Sequence, residues 1–121
     1  KIISINKENS NFTLRSKGHR NPQGLFYWDE KKIIINSEHG PKGGDEINFN
    51  NLSDGSIKDF GWPVSSYGEP YGKFAGSIFE KREYLKKSHS DYGFVEPINV
   101  LKSKTAFSFS NSITIIGPEH M

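Results

Sequence analysis

The sequence predicts an all-β protein, and three observations carry that expectation. Short apolar runs recur along the chain, clusters of Gly, Pro, Asn and Asp separate them, and helical periodicity is confined to one weak stretch. Taken in order, the candidate strands are Ile2–Ile5, Phe12–Arg15, Leu25–Trp28, Ile33–Ser37, Glu46–Phe49, Glu96–Leu101, Ala106–Phe109 and Ile113–Ile116. Ile33-Ile34-Ile35 reads as a strand buried on both faces, with Lys31 and Lys32 before it as charged guards against edge pairing. Ser77–Lys87 places Ile78, Tyr84 and Leu85 on a weak helical stripe, yet suits a long excursion between strands equally well. From Gly61 to Gly76 the chain is rich in Gly, Pro and Tyr and reads as an ordered loop packed by its aromatics.

Eight short strands suit blades of four strands each, as in a propeller, and make about two such blades. A propeller needs at least about four blades to close its ring. The chain is therefore either a small sandwich or part of a larger ring, and periodicity alone does not choose between them.

Composition narrows the function. The chain has 121 residues, within the usual range for one domain, and only 33% are hydrophobic, so much loop and a modest core are expected. The net charge of +2 is slight and the basic residues are scattered, apart from Lys86-Lys87, which reads as a solvated turn. No nucleic-acid partner is expected from such a pattern. With no cysteine, disulfides, thiolate zinc and thiol catalysis are excluded. No apolar stretch approaches the ~18–20 residues that span a bilayer, so no membrane partner is expected. The chain opens at Lys1 without a Met, which leads us to expect an internal piece of a longer protein. Gly117–Met121, whose composition suits an expression tail as well as native sequence, carries no functional weight.

Three segments concentrate polar chemistry. In Gly18-His19-Arg20-Asn21-Pro22-Gln23-Gly24-Leu25, two glycines and a proline bracket polar side chains just before an apolar strand. Such a turn can hold Arg and Asn at a strand mouth, where forked donors grip carboxylates or carbonyls; the plainer alternative is a polar turn facing water. Glu38-His39-Gly40-Pro41-Lys42-Gly43-Gly44-Asp45-Glu46-Ile47-Asn48 follows the isoleucine strand directly. Its glycines allow a bend tight enough to point carbonyls at a cation, and hard cations such as calcium favour oxygen ligands. A hairpin turn with solvated charges is the alternative. His39 there has no obvious orienting partner in the sequence, which weighs against its being a general base. Phe60-Gly61-Trp62-Pro63-Val64-Ser65-Ser66-Tyr67-Gly68 reads first as a packed corner.

Together and in this order, the three segments resemble the glucose/sorbosone dehydrogenase family of six-bladed β-propellers, which includes soluble pyrroloquinoline-quinone (PQQ) glucose dehydrogenases and aldose sugar dehydrogenases. His89 to Pro97 is similar to the stretch leading into the next blade, and the resemblance covers about residues 15 to 100. It implies that residues 1–121 form part of such a ring, about two blades of four-stranded antiparallel sheets. It implies PQQ and Ca2+ as cofactors, an aldose and an electron acceptor as partners, and a periplasmic or extracellular location. Residue by residue, Arg20 matches the catalytic arginine that contacts the quinone and the reacting sugar oxygen, and Asn21 the neighbouring PQQ contact. Gly40 and Pro41 match the residues whose backbone carbonyls bind the calcium that polarises PQQ. Glu46 and the carbonyl of Phe60 fall where aldose dehydrogenases place a second, structural calcium. Phe60 replaces the common Tyr, and the spacing from Glu46 to Phe60 is a few residues longer than usual.

In that family a histidine base takes the proton of the anomeric hydroxyl while hydride passes to the quinone, and the protein supplies orientation and charge stabilisation. The base belongs to a blade upstream, the clamps on the PQQ carboxylates lie downstream, and the stretch after Val100 departs from the family pattern. The leading expectation is thus a fragment of a sugar dehydrogenase, inactive alone and prone to self-association through its cut sheet edges. Two alternatives stand beside it: a non-catalytic propeller serving as an extracellular binding module, and an independent all-β module whose likeness is accidental.

Overall fold

The computed structural model describes residues 1–41, 43–68 and 88–101, which form two β-sheets with no α-helix among them. The strands are β1 (Ile2–Ile5), β2 (Phe12–Lys17), β3 (Pro22–Trp28), β4 (Ile33–Glu38), β5 (Asp45–Asn51), β6 (Lys58–Asp59) and β7 (Asn99–Leu101). A single 3₁₀ turn, His89–Tyr92, precedes β7. The expected all-β class is thus observed. The expected strands at Ala106–Phe109 and Ile113–Ile116 and the segment Ser77–Lys87 lie outside the described residues.

The turns follow local chemistry. Asn6 and Asn9 accept backbone N–H groups two residues on through their side-chain oxygens, and Ser10 takes a positive φ, which folds β1 back on β2. Lys32, expected as a guard, closes the β3–β4 turn at φ 54 with its ammonium 2.6 Å from Asp29.

The first sheet has the order β1-β2-β6 and the second β3-β4-β5-β7. All pairs are antiparallel except β2 with β6, where Ser16 and Lys17 run parallel to Lys58 and Asp59. The expectation of purely antiparallel sheets is corrected there, because β6 enters after a loop rather than a hairpin. Two glycines make the close approaches that lock this frame. Gly18 has φ +76, and a Cβ on it would lie 2.1 Å from Asp59 Oδ1 and 2.5 Å from the Gly61 nitrogen. Gly44 has φ +71, and its Cβ would meet the Gly68 nitrogen at 2.2 Å.

Cross-strand register divides the second sheet into two unlike faces. Ile34, Asn36 and Glu38 on β4 stand opposite Asn50, Asn48 and Glu46 on β5, and all six are buried. Ile33 and Ile35 share the other face with Phe26, Trp28, Ile47 and Phe49, and these six are only half-buried. The isoleucine strand is therefore not buried on both faces within the described residues, as its composition suggested. Among the described residues, large apolar side chains buried completely are few; Phe60 is one, stacked on His19 with ring centroids 4.7 Å apart. Its burial stabilises by roughly 1.5–3 kcal/mol.

Candidate functional site

Strand β4 delivers Glu38 to its C-terminal end and β5 starts with Asp45 and Glu46, so three carboxylates reach the same end of the second sheet. The connection between them is held from inside. Asp45 Oδ1 accepts the Gly40 N–H at 3.0 Å, and its other oxygen lies 3.7 Å from His39 Nδ1. His39 thus has the neighbour that its sequence context did not reveal. Glu38, His39, Asp45 and Glu46 are all buried, which rules out a hairpin with solvated charges.

The turn after β2 closes over this end. Arg20 donates from its backbone N–H to Glu38 Oε2 (3.1 Å) and from Nη1 to the carbonyls of His39 (3.3 Å) and Gly40 (3.0 Å). Its guanidinium carbon lies 5.4 Å from the Trp62 ring centroid, a cation–π distance that limits its travel. Asn21 behaves differently. Its carbonyl accepts the His39 N–H, while its side chain is exposed and takes a hydrogen bond from Gln23. The first motif therefore splits, with Arg20 turned into the site and the Asn21 side chain left at its solvent side.

Two histidines that no sequence argument gave a role complete the wall. His19 sits 2.8 Å from Ser16 Oγ through Nε2 and 3.4 Å from Glu38 Oε2 through Nδ1. His89 contacts Ser65 Oγ through Nδ1 (2.5 Å) and Glu46 Oε1 through Nε2 (3.0 Å). Asn48 Nδ2 bridges the two glutamates, 3.0 Å from Glu38 Oε1 and 3.3 Å from Glu46 Oε2, while its Oδ1 is buried without a partner among the described residues. Burial pushes the Glu46 carboxyl above its ordinary range; His89 pulls it back and Glu38 adds to the rise. At the outer edge the Tyr67 hydroxyl donates to Glu96, tying the corner loop to the segment before β7.

Arg20, Gly40, Pro41, Glu46 and Phe60 line one small cleft, with Glu38, Trp62 and His89 among the residues between them. The space left is about 10 Å3, room for one water-sized particle and far too little for an organic cofactor. Among the described residues no three His, Cys, Asp or Glu side chains converge on one point to hold a metal. An ion there would depend on backbone carbonyls, as the glycine-rich turn suggested. Sequence reasoning missed Glu38, Asn48, Ser65, His19 and His89 as members of this site. His89 lies 43 positions from the carboxylate it touches, and no local pattern encodes that contact.

Comparison with known proteins agrees with these motifs. A family model described as "Glucose / Sorbosone dehydrogenase" matches residues 4–113. An uncharacterized protein of Synechocystis sp. is 45% identical over 56 residues, 46% of this chain and 13% of that protein. Aldose sugar dehydrogenase YliI of Escherichia coli is 41% identical over 59 residues, 49% of this chain and 15% of that protein. Quinoprotein glucose dehydrogenase B of Acinetobacter calcoaceticus is 39% identical over 75 residues, 57% of this chain and 15% of that protein. The matches thus span about one seventh of the length of these relatives. No solved structure gives a significant match. Among the described residues no helix is long and apolar enough to cross a membrane.

Proposed function

Because the chain belongs to the glucose/sorbosone dehydrogenase family, we propose that it is one portion of a PQQ- and calcium-dependent sugar dehydrogenase that oxidises the anomeric hydroxyl of an aldose outside the cytoplasm. One observation carries this reading. Arg20, Gly40, Pro41, Glu46 and Phe60, drawn from three separate motifs, converge on a single water-sized space at one end of the sheet. The four-stranded sheet is read as one blade of a six-bladed propeller and the three-stranded sheet as part of its neighbour.

The residues present fit a calcium ion. Two buried carboxylates and the Gly40-Pro41 turn surround a space of the right size, and hard oxygen donors suit the ion. Arg20 Nη1 donates to the Gly40 carbonyl, whose oxygen carries a second lone pair that could serve a cation. In this reading the space holds one calcium, on the Gly40 and Pro41 carbonyls or on Glu46 with the Phe60 carbonyl, and leaves no room for a second ion beside it. For the quinone the residues fit one wall only, since the cleft is too small to enclose it and the Asn21 side chain points outward.

PQQ, when bound, would supply the two-electron oxidant. The Arg20 guanidinium is positively charged and stabilises negative charge that develops on an oxygen placed against it. Trp62 beneath the guanidinium and the carbonyls of His39 and Gly40 restrict its rotamers, so little entropy is lost when it engages. The general base and the grip on the quinone carboxylates are assigned to other parts of the parent protein.

The test is reconstitution of the full-length parent with PQQ and calcium, followed by assay with aldoses and a dye acceptor. Arg20→Ala is expected to lower turnover by about 10²–10³-fold, the usual loss for one charge-stabilising donor, and to weaken quinone binding. Unchanged quinone affinity and turnover would reject the assigned site and leave the binding-module reading as the better one.

A further inference from the structure

His89 is 1% exposed, and its ring is held on three sides. Ser65 Oγ lies 2.5 Å from Nδ1, Glu46 Oε1 lies 3.0 Å from Nε2, and the Tyr67 ring packs against the face with centroids 4.5 Å apart. An ionised carboxylate only accepts, so the proton facing Glu46 is assigned to Nε2, and Ser65 Oγ then faces Nδ1 as its hydrogen-bond partner. Asn48 takes the other oxygen of Glu46. The carboxylate is thereby gripped at both oxygens, once from its own strand and once from a segment 43 positions away.

That second grip is the informative one. Asn48 could orient Glu46 within β5 alone, whereas His89 ties the site to two further elements, the corner loop through Ser65 and the 3₁₀ turn on which it sits. The 3₁₀ turn is itself anchored, because the Ser88 N–H donates to Asp91 and the Ser90 N–H to Glu96. Gly61 beside it has φ +102, a conformation that favours glycine, and a Cβ there would make only ordinary contact with the imidazole at 3.5 Å.

We propose that His89 is the positioning residue for Glu46: clamped by Ser65 in its Nε2–H tautomer, it aims the carboxylate at the water-sized space beside Phe60 and couples the corner loop to cation binding. The proposal rests on the reading of Glu46 as a calcium ligand. Groups that orient a metal ligand through one hydrogen bond change affinity by about 10–100-fold when lost.

The experiment uses the full-length parent protein without quinone. Calorimetric titration with calcium is expected to show about tenfold weaker binding for His89→Ala and partial recovery for His89→Gln, whose amide reaches the same carboxylate. Ser65→Ala, which frees the ring without removing the donor, is expected to lose only a few-fold. A purely structural histidine would lower the melting temperature yet leave the affinity of the folded protein unchanged, and that result would overturn the proposal. Should His89→Ala fail to fold, the Gln and Ser65 variants decide by the same criterion. Nitrogen-15 spectra of the histidine rings provide a second readout that does not involve calcium: the Nε2–H tautomer supports the clamp, and the Nδ1–H tautomer overturns it. Wild-type protein that takes up no calcium would instead reject the ligand reading of Glu46, with the tautomer still deciding whether His89 holds the carboxylate.

Discussion

The two faces of the second sheet invert the usual arrangement. One carries Ile34, Asn36, Glu38, Glu46, Asn48 and Asn50, all buried, with Leu25 and Tyr27 exposed at its β3 edge. The other carries Phe26, Trp28, Ile33, Ile35, Ile47 and Phe49, all half-buried. In a self-contained domain the apolar face would be the covered one. A chain that hides its amides and leaves its phenylalanines half-open has two separate reasons to do so. The polar face is covered by the first sheet and the corner loop, because that is where the candidate site is assembled. The apolar face is only half-buried by the described residues, and on the proposed reading a further sheet of the parent protein would complete its cover. Relatives of which this chain matches only 13–15% leave ample sequence for one.

The largest expected effect tests the apolar face. In the intact parent, Phe49→Ala is expected to cost about 3–5 kcal/mol, the penalty for emptying a filled aromatic site, measured by denaturant unfolding. A cost below about 1 kcal/mol would mean that the face stays open in the whole protein and that the packed-ring reading fails.

The polar face is tested by a contrasting pair. Asn48 is the donor shared by two buried glutamates, so Asn48→Leu is expected to destabilise by about 2–3 kcal/mol. Neither side-chain polar atom of Asn36 has a partner among the described residues, so Asn36→Leu, close in volume, is expected to be neutral or stabilising by up to about 1 kcal/mol. Equal losses in both would show that water or an ion bridges Asn36 to its surroundings.

A subtler test is pH. Burial raises the Glu46 carboxyl above 4.5 in the folded chain. In calcium-free protein its contribution to stability is therefore fully present below the unfolded value and lost as pH rises through the folded one. Glu46→Gln should flatten that slope, and calcium should reverse it by favouring the ionised form. A slope identical in wild type and variant would assign the pH dependence to other groups.

The smallest effect belongs to an exposed turn remote from both faces. Asp54 accepts hydrogen bonds from the backbone and side chain of Ser56 and pairs with Lys58, which holds its carboxyl at about 2. Its contribution is present above 3.8 and fades as pH falls toward 2. Asp54→Asn should remove only that acid-limb component, visible as a shallower loss of melting temperature below pH 4. Effects on calcium or quinone binding would contradict the separation of this turn from the site.

How far the sequence could be read varied with the distance between partners. Strand β1 falls at Ile2–Ile5 as expected, and β2 and β4 start where expected, since alternation and turn residues are local. β3 starts at Pro22 rather than Leu25, because pairing with Glu38 extends it into the polar turn. β7 is shorter than the expected Glu96–Leu101, because Glu96 turns away to accept from Tyr67 and from the Ser90 N–H. Arg20, Gly40, Pro41, Glu46 and Phe60 were legible as motif residues. Their meeting in one cleft was not, and neither was the outward turn of the Asn21 side chain.

By itself, then, the sequence determined the β class, the family and the chemistry available in each turn, because glycine placement, apolar spacing and short polar runs act over a few neighbouring residues. Only the tertiary structure decided which of those groups face one another. The Glu46–His89–Ser65 contact joins residues up to 43 positions apart, and the burial of the glutamates depends on a sheet and a loop closing over them. Long-range contacts of this kind arise from the packing of whole elements, whose geometry no single stretch of residues specifies.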